Sequence, residues 1–236
     1  MDNNEYRECE TCHLPYVLKT HGEGKFSITI LEPQCDCQEK ELKKIEEEEK
    51  ERARQKLVEA LGLPPKLRPF TLDNIECEHR AEARLFVEGF KPHRKGLFLW
   101  GANGNGKTTL AAVICKELAY RGHRVLFTTM SSILNKMEEG GIGRAANVKR
   151  LLRELQTYDF VVFDDYGRED YTPARLQNVF LILNTLYEWQ VTFCMTANPE
   201  CINRIKNIPE LAAIKDRLSE VLINWKFSNP SFRRAK

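Results

Sequence analysis

Short apolar runs and helix-forming stretches alternate along the chain from about Pro69 onward. Apolar runs bounded by Gly or polar residues predict buried strands, and longer stretches with a helical period predict helices. The predicted strands are residues 96–100, 124–129, 160–163 and 191–196, and the predicted helices are residues 108–121, 147–155 and 173–189. This alternation favours an α/β fold with a parallel sheet covered by helices on both faces.

A highly charged segment, residues 39–60, precedes this region. It is rich in Glu, Lys and Arg and contains no Gly or Pro, so its helix propensity is high. The pattern predicts a helix that serves either as a solvated spacer or as a docking element for a partner. The prolines in residues 62–65 end it, because proline cannot continue a helix. Its thin apolar stripe consists of Leu42, Ile45, Leu57 and Val58.

Composition narrows the classes of protein that this chain can represent. Its 236 residues suffice for one α/β domain and a small appendage, and the net charge of +2 gives no global case for nucleic-acid binding. No run of about 18 apolar residues occurs, and the N-terminus lacks the basic-then-apolar order of a signal peptide. We therefore expect a soluble, cytoplasmic protein without membrane association. In that compartment the eight cysteines favour metal ligands or free thiols over disulfides.

These patterns divide the chain into three segments. Residues 1–38 form a cysteine-rich module, residues 39–68 a charged helical linker, and residues 69–236 the α/β domain. The tail, residues 228–236, is basic and is predicted to lack regular structure.

The segment between the first predicted strand and helix matches G-x-x-x-x-G-K-[ST] without a mismatch. Its glycines let the backbone N–H groups point inward at phosphate oxygens, and the helix N-terminus adds its positive dipole end. The motif predicts ATP binding, with Lys107 on the β- and γ-phosphates and the Thr108 hydroxyl on magnesium. The predicted nucleotide-contacting residues are Gly101, Ala102, Asn103, Gly104, Asn105, Gly106, Lys107, Thr108 and Thr109.

Two adjacent carboxylates follow the apolar strand at residues 160–163. Asp164 is predicted to hold the magnesium shell, and Asp165 to orient or deprotonate the attacking water. Thr196 and Asn198 follow another apolar strand, where a polar side chain could sit between Asp165 and the γ-phosphate. Asn198 precedes a proline, however, and Asn-Pro is also a common turn signal.

Four cysteines lie close together near the N-terminus. The spacing Cys9-x-x-Cys12, then Cys35-x-Cys37, is typical of a tetrahedral zinc site with four thiolate ligands. His13 and His21 are possible substitutes for one cysteine, and residues 26–30 alternate like a strand. Because so short a segment can hardly build its own core, a metal would supply its folding free energy. The alternative is a set of unconnected thiols that includes a reactive pair. The other cysteines are scattered and are interpreted as ordinary thiols.

Several motifs together resemble the DnaC/DnaI-type replicative helicase loaders of the AAA+ class, including phage versions, and the related IstB transposition ATPases. The resemblance covers nearly the whole chain. Besides the cysteine cluster and the charged helix, it is carried by Gly-x-x-Gly-x-Gly-Lys-Thr at 101–108, Val-Val-Phe-Asp-Asp-Tyr-Gly at 161–167, Met-Thr-Ala-Asn at 195–198, Ile-Lys-Asp-Arg-Leu at 214–218 and Ser-Phe-Arg-Arg at 231–234.

This resemblance implies further roles. Arg217 resembles an arginine finger that completes the ATP site of a neighbouring subunit, so self-association through the ATPase domain is expected. Arg233 resembles a nucleotide-sensing arginine, although Arg234 stands beside it. The family's zinc module grips the hexameric helicase, so residues 1–38 are expected to dock on that partner. The alternative is a zinc knuckle that binds nucleic acid, although its aromatics are few (Tyr16, Phe26). Residues 140–150 lie where such loaders contact single-stranded DNA, and sparse aromatics predict only weak contact there.

The function that the resemblance implies is ATP-dependent loading of a replicative hexameric helicase onto single-stranded DNA, by a magnesium-dependent ATPase. Three alternatives remain open at this point: an IstB-like regulator of DNA transposition, a small-molecule kinase, and an adaptor that binds ATP without turnover. The complete set of Lys107, Thr108, Asp164 and Asp165 argues against the adaptor. A kinase would need an arginine-rich lid, and residues 128–155 contain few arginines.

Overall fold

A computed structural model describes residues 8–22, 26–139 and 144–232 of the protein. The chain divides into two compact units, residues 1–56 and 57–236. In the first unit, strands β1 (Tyr16–His21) and β2 (Ile28–Pro33) pair in antiparallel fashion. Helix α1 (Cys37–Ala60) follows, and the division between the units falls near its C-terminal end.

The second unit contains a parallel sheet and the helices that cover it. After a short 3-10 helix at Pro65–Leu67, its elements are α2 (Arg80–Glu88), β3 (Gly96–Gly101), α3 (Lys107–Tyr120), β4 (Val125–Thr129), α4 (Met130–Glu138), α5 (Arg144–Leu155), β5 (Phe160–Asp164), α6 (Pro173–Glu188), β6 (Thr192–Ala197), α7 (Pro199–Lys206), α8 (Pro209–Val221) and β7 (Leu222–Phe227).

The described strands of this unit form one sheet in the order β4-β5-β6-β3-β7, and every neighbouring pair is parallel. Strand β3 therefore lies between β6 and β7, far from its sequence neighbour β4. All five carboxyl ends lie at one edge of the sheet, where ligands of open parallel sheets bind. The predicted α/β fold with a parallel central sheet is confirmed.

Alternate residues of each strand enter two different hydrophobic clusters, which lie on the two faces of the sheet. Leu97 and Leu99 pack with α2 and α3, whereas Phe98 packs with the other cluster. Strand β5 shows the same alternation. Val162 joins the first cluster, whereas Val161 joins the second cluster, which includes residues of α4, α5, α6 and α8. Burial on both faces explains why these strands are continuous apolar runs.

The predicted strands and helices of the second unit agree with the observed elements to within one residue, except that α5 begins three residues before the predicted start. Strand β7 was not predicted. Its sequence lacks a continuous apolar run, since Ile223, Asn224 and Lys226 are exposed and only Leu222, Trp225 and Phe227 are buried. The helices α2, α4, α7 and α8 were also not assigned in the sequence. Across residues 8–22, 26–139 and 144–232, no helix combines the length and apolarity needed to cross a bilayer.

A buried lysine ties the start of the second unit to α3. Lys116 is 2% exposed, and its Nζ donates hydrogen bonds to the carbonyls of Arg68 at 2.7 Å and Phe70 at 2.5 Å. A buried ammonium is tolerated only when acceptors surround it. This interaction therefore fixes the path of the chain at Phe70.

We predict that Lys116→Met lowers the free energy of unfolding by about 1–3 kcal/mol, because the two carbonyls lose a charged donor. Urea unfolding followed by circular dichroism measures the effect. The matched control is Lys91→Met, since Lys91 is exposed and should tolerate the change. Equal unfolding midpoints for the two variants would contradict this role of Lys116.

Candidate functional site

The loop between β3 and α3 has the conformation of an anion-binding cradle. Gly104 and Gly106 have φ angles of 82° and 94°, and Gly106 immediately precedes the first turn of α3. A Cβ atom on Gly101 would lie 2.2 Å from the carbonyl oxygen of Phe227, so only glycine fits there. The backbone N–H groups of the loop and of the helix N-terminus are thereby available to phosphate oxygens.

Lys107 folds back onto this loop. Its Nζ donates to the carbonyls of Gly101 at 2.7 Å and Ala102 at 2.6 Å and to Oδ1 of Asn105 at 3.0 Å. These three oxygens satisfy the buried ammonium, as phosphate oxygens would when a nucleotide is bound. The amide of Asn105, itself fully buried, donates to the carbonyl of Phe227 at 3.2 Å and so fastens the loop to β7.

Asp164 ends β5 beside the start of α3. Its Oδ1 accepts hydrogen bonds from the hydroxyls of Thr108 at 2.8 Å and Thr196 at 2.7 Å. Burial raises the pKa of Asp164, and the hydrogen bonds from Thr196 and Thr108 offset part of this rise. A carboxylate beside a threonine hydroxyl fits Mg²⁺, which prefers oxygen ligands and usually binds through one or two carboxylates plus substrate phosphates.

Asp165 continues from β5 in a left-handed conformation, with φ at 54°. Its backbone N–H donates to Oγ1 of Thr196 at 2.9 Å, and its carboxylate pairs with Arg168 at 3.0 Å. Thr196 therefore contacts both aspartates from the neighbouring strand β6. Asn198, two residues further, is 4% exposed and precedes the first turn of α7.

Most of these residues line a cleft of about 420 Å³. Residues 103–109 line it together with Asp165, Arg168 and Asn198, whereas Asp164 and Thr196 are hydrogen-bonded to the lining residues Thr108 and Asp165. The remaining lining residues are Phe70, Asn74, Ile75, Glu76 and Phe232.

The sequence analysis did not predict these remaining lining residues, and it did not predict Arg168 either. Residues 70–76 match no motif, and a turn in which the Thr71 N–H donates to Oδ1 of Asn74 at 2.6 Å shapes them locally. Phe232 reaches the cleft because its N–H donates to the carbonyl of Gly104 at 3.0 Å. The one available signal for Arg168 was a basic residue close to an Asp-Asp pair.

Of the predicted arginines, the structure describes Arg217. Arg217 is exposed on α8, donates to Oδ1 of Asn184 and lies over the ring of Tyr187 at 5.5 Å. It is not among the residues that line the cleft of its own chain. Arg233 and its neighbour Arg234 lie outside the described residues, as do residues 140–143 of the segment expected to contact DNA.

The four N-terminal cysteines converge. The sulfur atoms of Cys9, Cys12, Cys35 and Cys37 all lie within 4.8 Å of one another. A tetrahedral zinc site, with Zn–S distances of about 2.3 Å, requires sulfur separations of about 3.8 Å, so the cluster fits such an ion. A tight turn shapes one half of it, because the N–H of Cys9 donates to the Leu14 carbonyl at 2.9 Å.

The two histidines considered as substitutes are not part of this group of described residues. The ring of His21 is 2.6 Å from a carboxylate oxygen of Glu32 on β2. His13 adopts a left-handed conformation in the turn, with φ at 59°. The geometry thus favours four cysteine ligands over a mixed set.

The thiols of the cluster affect each other's ionisation. Backbone N–H groups of Thr11 and Cys12 stabilise the thiolate of Cys9 and lower its pKa to about 6. The side chains of Cys12 and Cys35 raise the pKa of Cys37 to about 12. Four thiolates so close together would need a cation to compensate their charge, which is the chemistry that a divalent metal would supply.

The second unit resembles solved structures of replication proteins. It superimposes on the crystal structure of the DnaC helicase loader with a TM-score of 0.61 at 18% identity, over 70% of this chain and 100% of that one. The DnaI structure superimposes with a TM-score of 0.59 at 22% identity, over 70% of this chain and 95% of that one. For DnaA from Aquifex aeolicus with bound AMPPCP, the TM-score is 0.54 at 21% identity, over 70% of this chain and 51% of that one. These likenesses show the AAA+ fold.

Curated relatives are also similar in sequence. The replicative helicase loader DnaC of Escherichia coli K12 is 30% identical over 143 residues, which is 58% of this chain and 58% of that protein. A protein of Sinorhizobium fredii described as an insertion sequence ATP-binding protein is 28% identical over 199 residues, 80% of this chain and 66% of the relative. The match to DnaC thus spans little more than half of that protein.

We predict that the purified protein holds one zinc ion per chain and that Cys12→Ser loses it, because three thiolates and a hydroxyl bind zinc more weakly than four thiolates. Metal content is measured by plasma mass spectrometry. Cys77→Ser is the matched control, since Cys77 lies outside the cluster and should leave the metal in place. Zinc retained in full by Cys12→Ser would exclude this four-cysteine site.

A family model described as IstB-like ATP binding protein matches residues 40–222. That range contains the phosphate loop, Asp165 and Asn198, which contribute to the cleft, and also Asp164 and Thr196, which are hydrogen-bonded to each other beside it. It also covers well over half of the 236 residues. The chain belongs to the IstB-like family of ATP-binding proteins.

Proposed function

We propose that this protein is a magnesium-dependent ATPase that binds a replicative hexameric helicase and delivers it onto single-stranded DNA. The observation that carries the ATPase assignment is that Lys107, Thr108 and Asp165 line one cleft and that Thr108 donates a hydrogen bond to Asp164 at 2.8 Å. The similarity to a replicative helicase loader at 30% identity supports the assignment of the partner.

The residues of the cleft divide the work of phosphoryl transfer. The backbone N–H groups of residues 101–106 and the N-terminus of α3 bind the phosphates. Lys107 exchanges its three loop acceptors for the β- and γ-phosphate oxygens. Thr108 and Asp164 hold Mg²⁺, which neutralises charge on the transferred group.

Asp165 accepts the proton of the attacking water or orients it, and Asn198 contacts the γ-phosphate from the end of β6. Thr196 fixes the relation between these groups, because its hydroxyl donates to Asp164 and accepts from the N–H of Asp165. The two carboxylates are thereby held at different depths. Burial raises the pKa of Asp164, whereas the side chain of Asp165 is 40% exposed and open to water.

Arg217 acts on the ATP site of a neighbouring subunit. Its exposure on α8, away from the cleft of its own chain, supports action across an interface. A guanidinium supplied in this way stabilises charge in the transition state. Arg233 senses the bound nucleotide in this proposal, since the chain at Phe232 is hydrogen-bonded to the phosphate loop.

The N-terminal module docks on the helicase. Its hairpin leaves large apolar side chains in solvent: Leu18 is 70% exposed, Ile28 65% and Phe26, before β2, 88%. Exposed apolar side chains on so small a unit are typical of a protein-binding surface. Zinc in the cysteine cluster stabilises the turn from which this hairpin begins.

Contact with single-stranded DNA is weak and electrostatic in this proposal. Helix α5 carries Lys149, Arg150 and Arg153 within the described region, and all three are exposed. Basic side chains bind the phosphate backbone without reading sequence.

A second function is regulation of DNA transposition. The family model and the Sinorhizobium fredii relative, which covers more of this chain than DnaC does, favour it. The same ATPase unit would then recruit a transposase in place of a helicase. The cysteine module is the feature that separates the two proposals.

We predict that the protein co-elutes with a hexameric replicative helicase in size-exclusion chromatography, and that Ile28→Asp abolishes this binding because it places a charge on the apolar hairpin. Metal content reports that the variant keeps its cysteine site. Leu85→Asp is the control, because Leu85 is equally exposed, at 69%, on α2 of the other unit. No binding to any helicase, together with DNA-stimulated ATPase activity, would favour the transposition proposal.

We also predict that Asp165→Asn and Arg217→Ala each lower steady-state ATP hydrolysis at least tenfold, and that mixing the two variants restores part of it. Restoration is expected because an intact arginine of the first variant can complete the intact cleft of the second. The measurement is phosphate release at high protein concentration. Activity of the mixture no greater than the sum of its parts would argue against action in trans.

A further inference from the structure

Arg168 is a feature of the cleft that the proposed division of roles leaves unused. Among the described residues that line the cleft, Arg168 and Lys107 are the cations. The guanidinium Nη1 of Arg168 lies 3.0 Å from Oδ2 of Asp165, the carboxylate assigned to the attacking water. Asp165 is therefore engaged by a cation of its own chain.

The loop after β5 holds the backbone at Arg168 firmly. The buried carboxylate of Glu169, 2% exposed, accepts from the N–H of Gly167 and from the hydroxyl of Tyr171, both at 2.8 Å. Gly167 packs so closely on α7 that an added Cβ would lie 2.7 Å from the Cβ of Cys201. The side chain of Arg168 nevertheless remains 53% exposed. A fixed backbone with an accessible guanidinium is suited to binding a ligand group.

The charges in the cleft favour an exchange of partners. The ion pair between Arg168 and Asp165 is about half exposed, so solvent screens it and it is easily replaced. A triphosphate brings more negative charge than a single carboxylate, and its oxygens match the planar fork of a guanidinium. The third phosphate of ATP would be the group nearest to Asp165, because this carboxylate acts on the water that attacks it.

We propose that Arg168 pairs with Asp165 in the nucleotide-free protein and transfers to the γ-phosphate when ATP binds. The transfer releases the Asp165 carboxylate for the attacking water at the moment when substrate is present. Arg168 thereby distinguishes ATP from ADP within one subunit, independently of Arg217. This inference rests on the proposed ATPase function and adds a substrate-contacting residue to it.

The first test compares the affinity of Arg168→Ala for a non-hydrolysable ATP analogue and for ADP, with fluorescent nucleotides and magnesium. We expect binding of the analogue to weaken roughly tenfold and binding of ADP to stay unchanged, because ADP has no γ-phosphate. The control is Arg121→Ala, an exposed arginine at the end of α3 that lies outside the cleft. Equal weakening for both nucleotides, or none for either, would overturn the proposal.

The second test measures the competition between Asp165 and the γ-phosphate. Asp165→Asn removes the competing charge, so it should tighten binding of the ATP analogue when Arg168 is present. In the double variant with Arg168→Ala this gain should vanish. A gain of equal size in both backgrounds would show that Arg168 is not the shared partner.

The outcomes also separate this inference from the proposed function. If the wild-type protein binds neither nucleotide, the ATPase proposal itself fails. If it binds both and Arg168→Ala does not discriminate between them, the ATPase proposal stands and the role of Arg168 is refuted. Unfolding midpoints equal to that of the wild type are expected for each variant, because both side chains are partly exposed.

Discussion

A single carboxylate oxygen joins three elements at the carboxyl edge of the sheet. Oδ1 of Asp164, at the end of β5, accepts from Thr108 at the start of α3 and from Thr196 on β6. Removing this buried carboxylate would leave two hydroxyls without their acceptor. The shape of the phosphate loop, the place of Asp165 and the entry to α7 all depend on this junction, since Thr196 also holds the N–H of Asp165.

The parallel order of the strands explains why this junction exists. The phosphate loop follows β3, and the two aspartates lie at the end of β5, yet β6 lies between these two strands. Asp164 therefore needs a polar intermediary on β6 or direct reach to α3, and the structure has both. The resulting arrangement places a cation-binding oxygen pair beside the anion-binding loop, which suits a nucleotide bound together with its magnesium ion.

The phosphate-binding residues of the cleft were predictable because they lie in contiguous segments of the sequence. Gly101 to Thr108 and the pair Asp164–Asp165 each follow an apolar strand, and parallel strands bring such ends together. The other lining residues were not, because Phe70 is held by the side chain of Lys116 and Phe232 by its N–H on the carbonyl of Gly104, and no local pattern encodes these contacts. Strand β7 was not predicted because three of its six residues are exposed and it lacks a continuous apolar run. The cysteine cluster was anticipated from spacing, whereas the convergence of its sulfur atoms required coordinates.

The absence of a loop between α8 and β7 has a mechanical consequence. Helix α8 ends at Val221 and β7 begins at Leu222, so a displacement of the helix passes to the strand without slack. The carbonyl of Phe227, at the far end of that strand, holds Asn105 of the phosphate loop. If Arg217 on α8 contacts the nucleotide of a neighbouring subunit as proposed, the strand that follows it shapes the pocket of its own chain. Occupancy of one site would then be transmitted to the next through the continuous segment of α8 and β7.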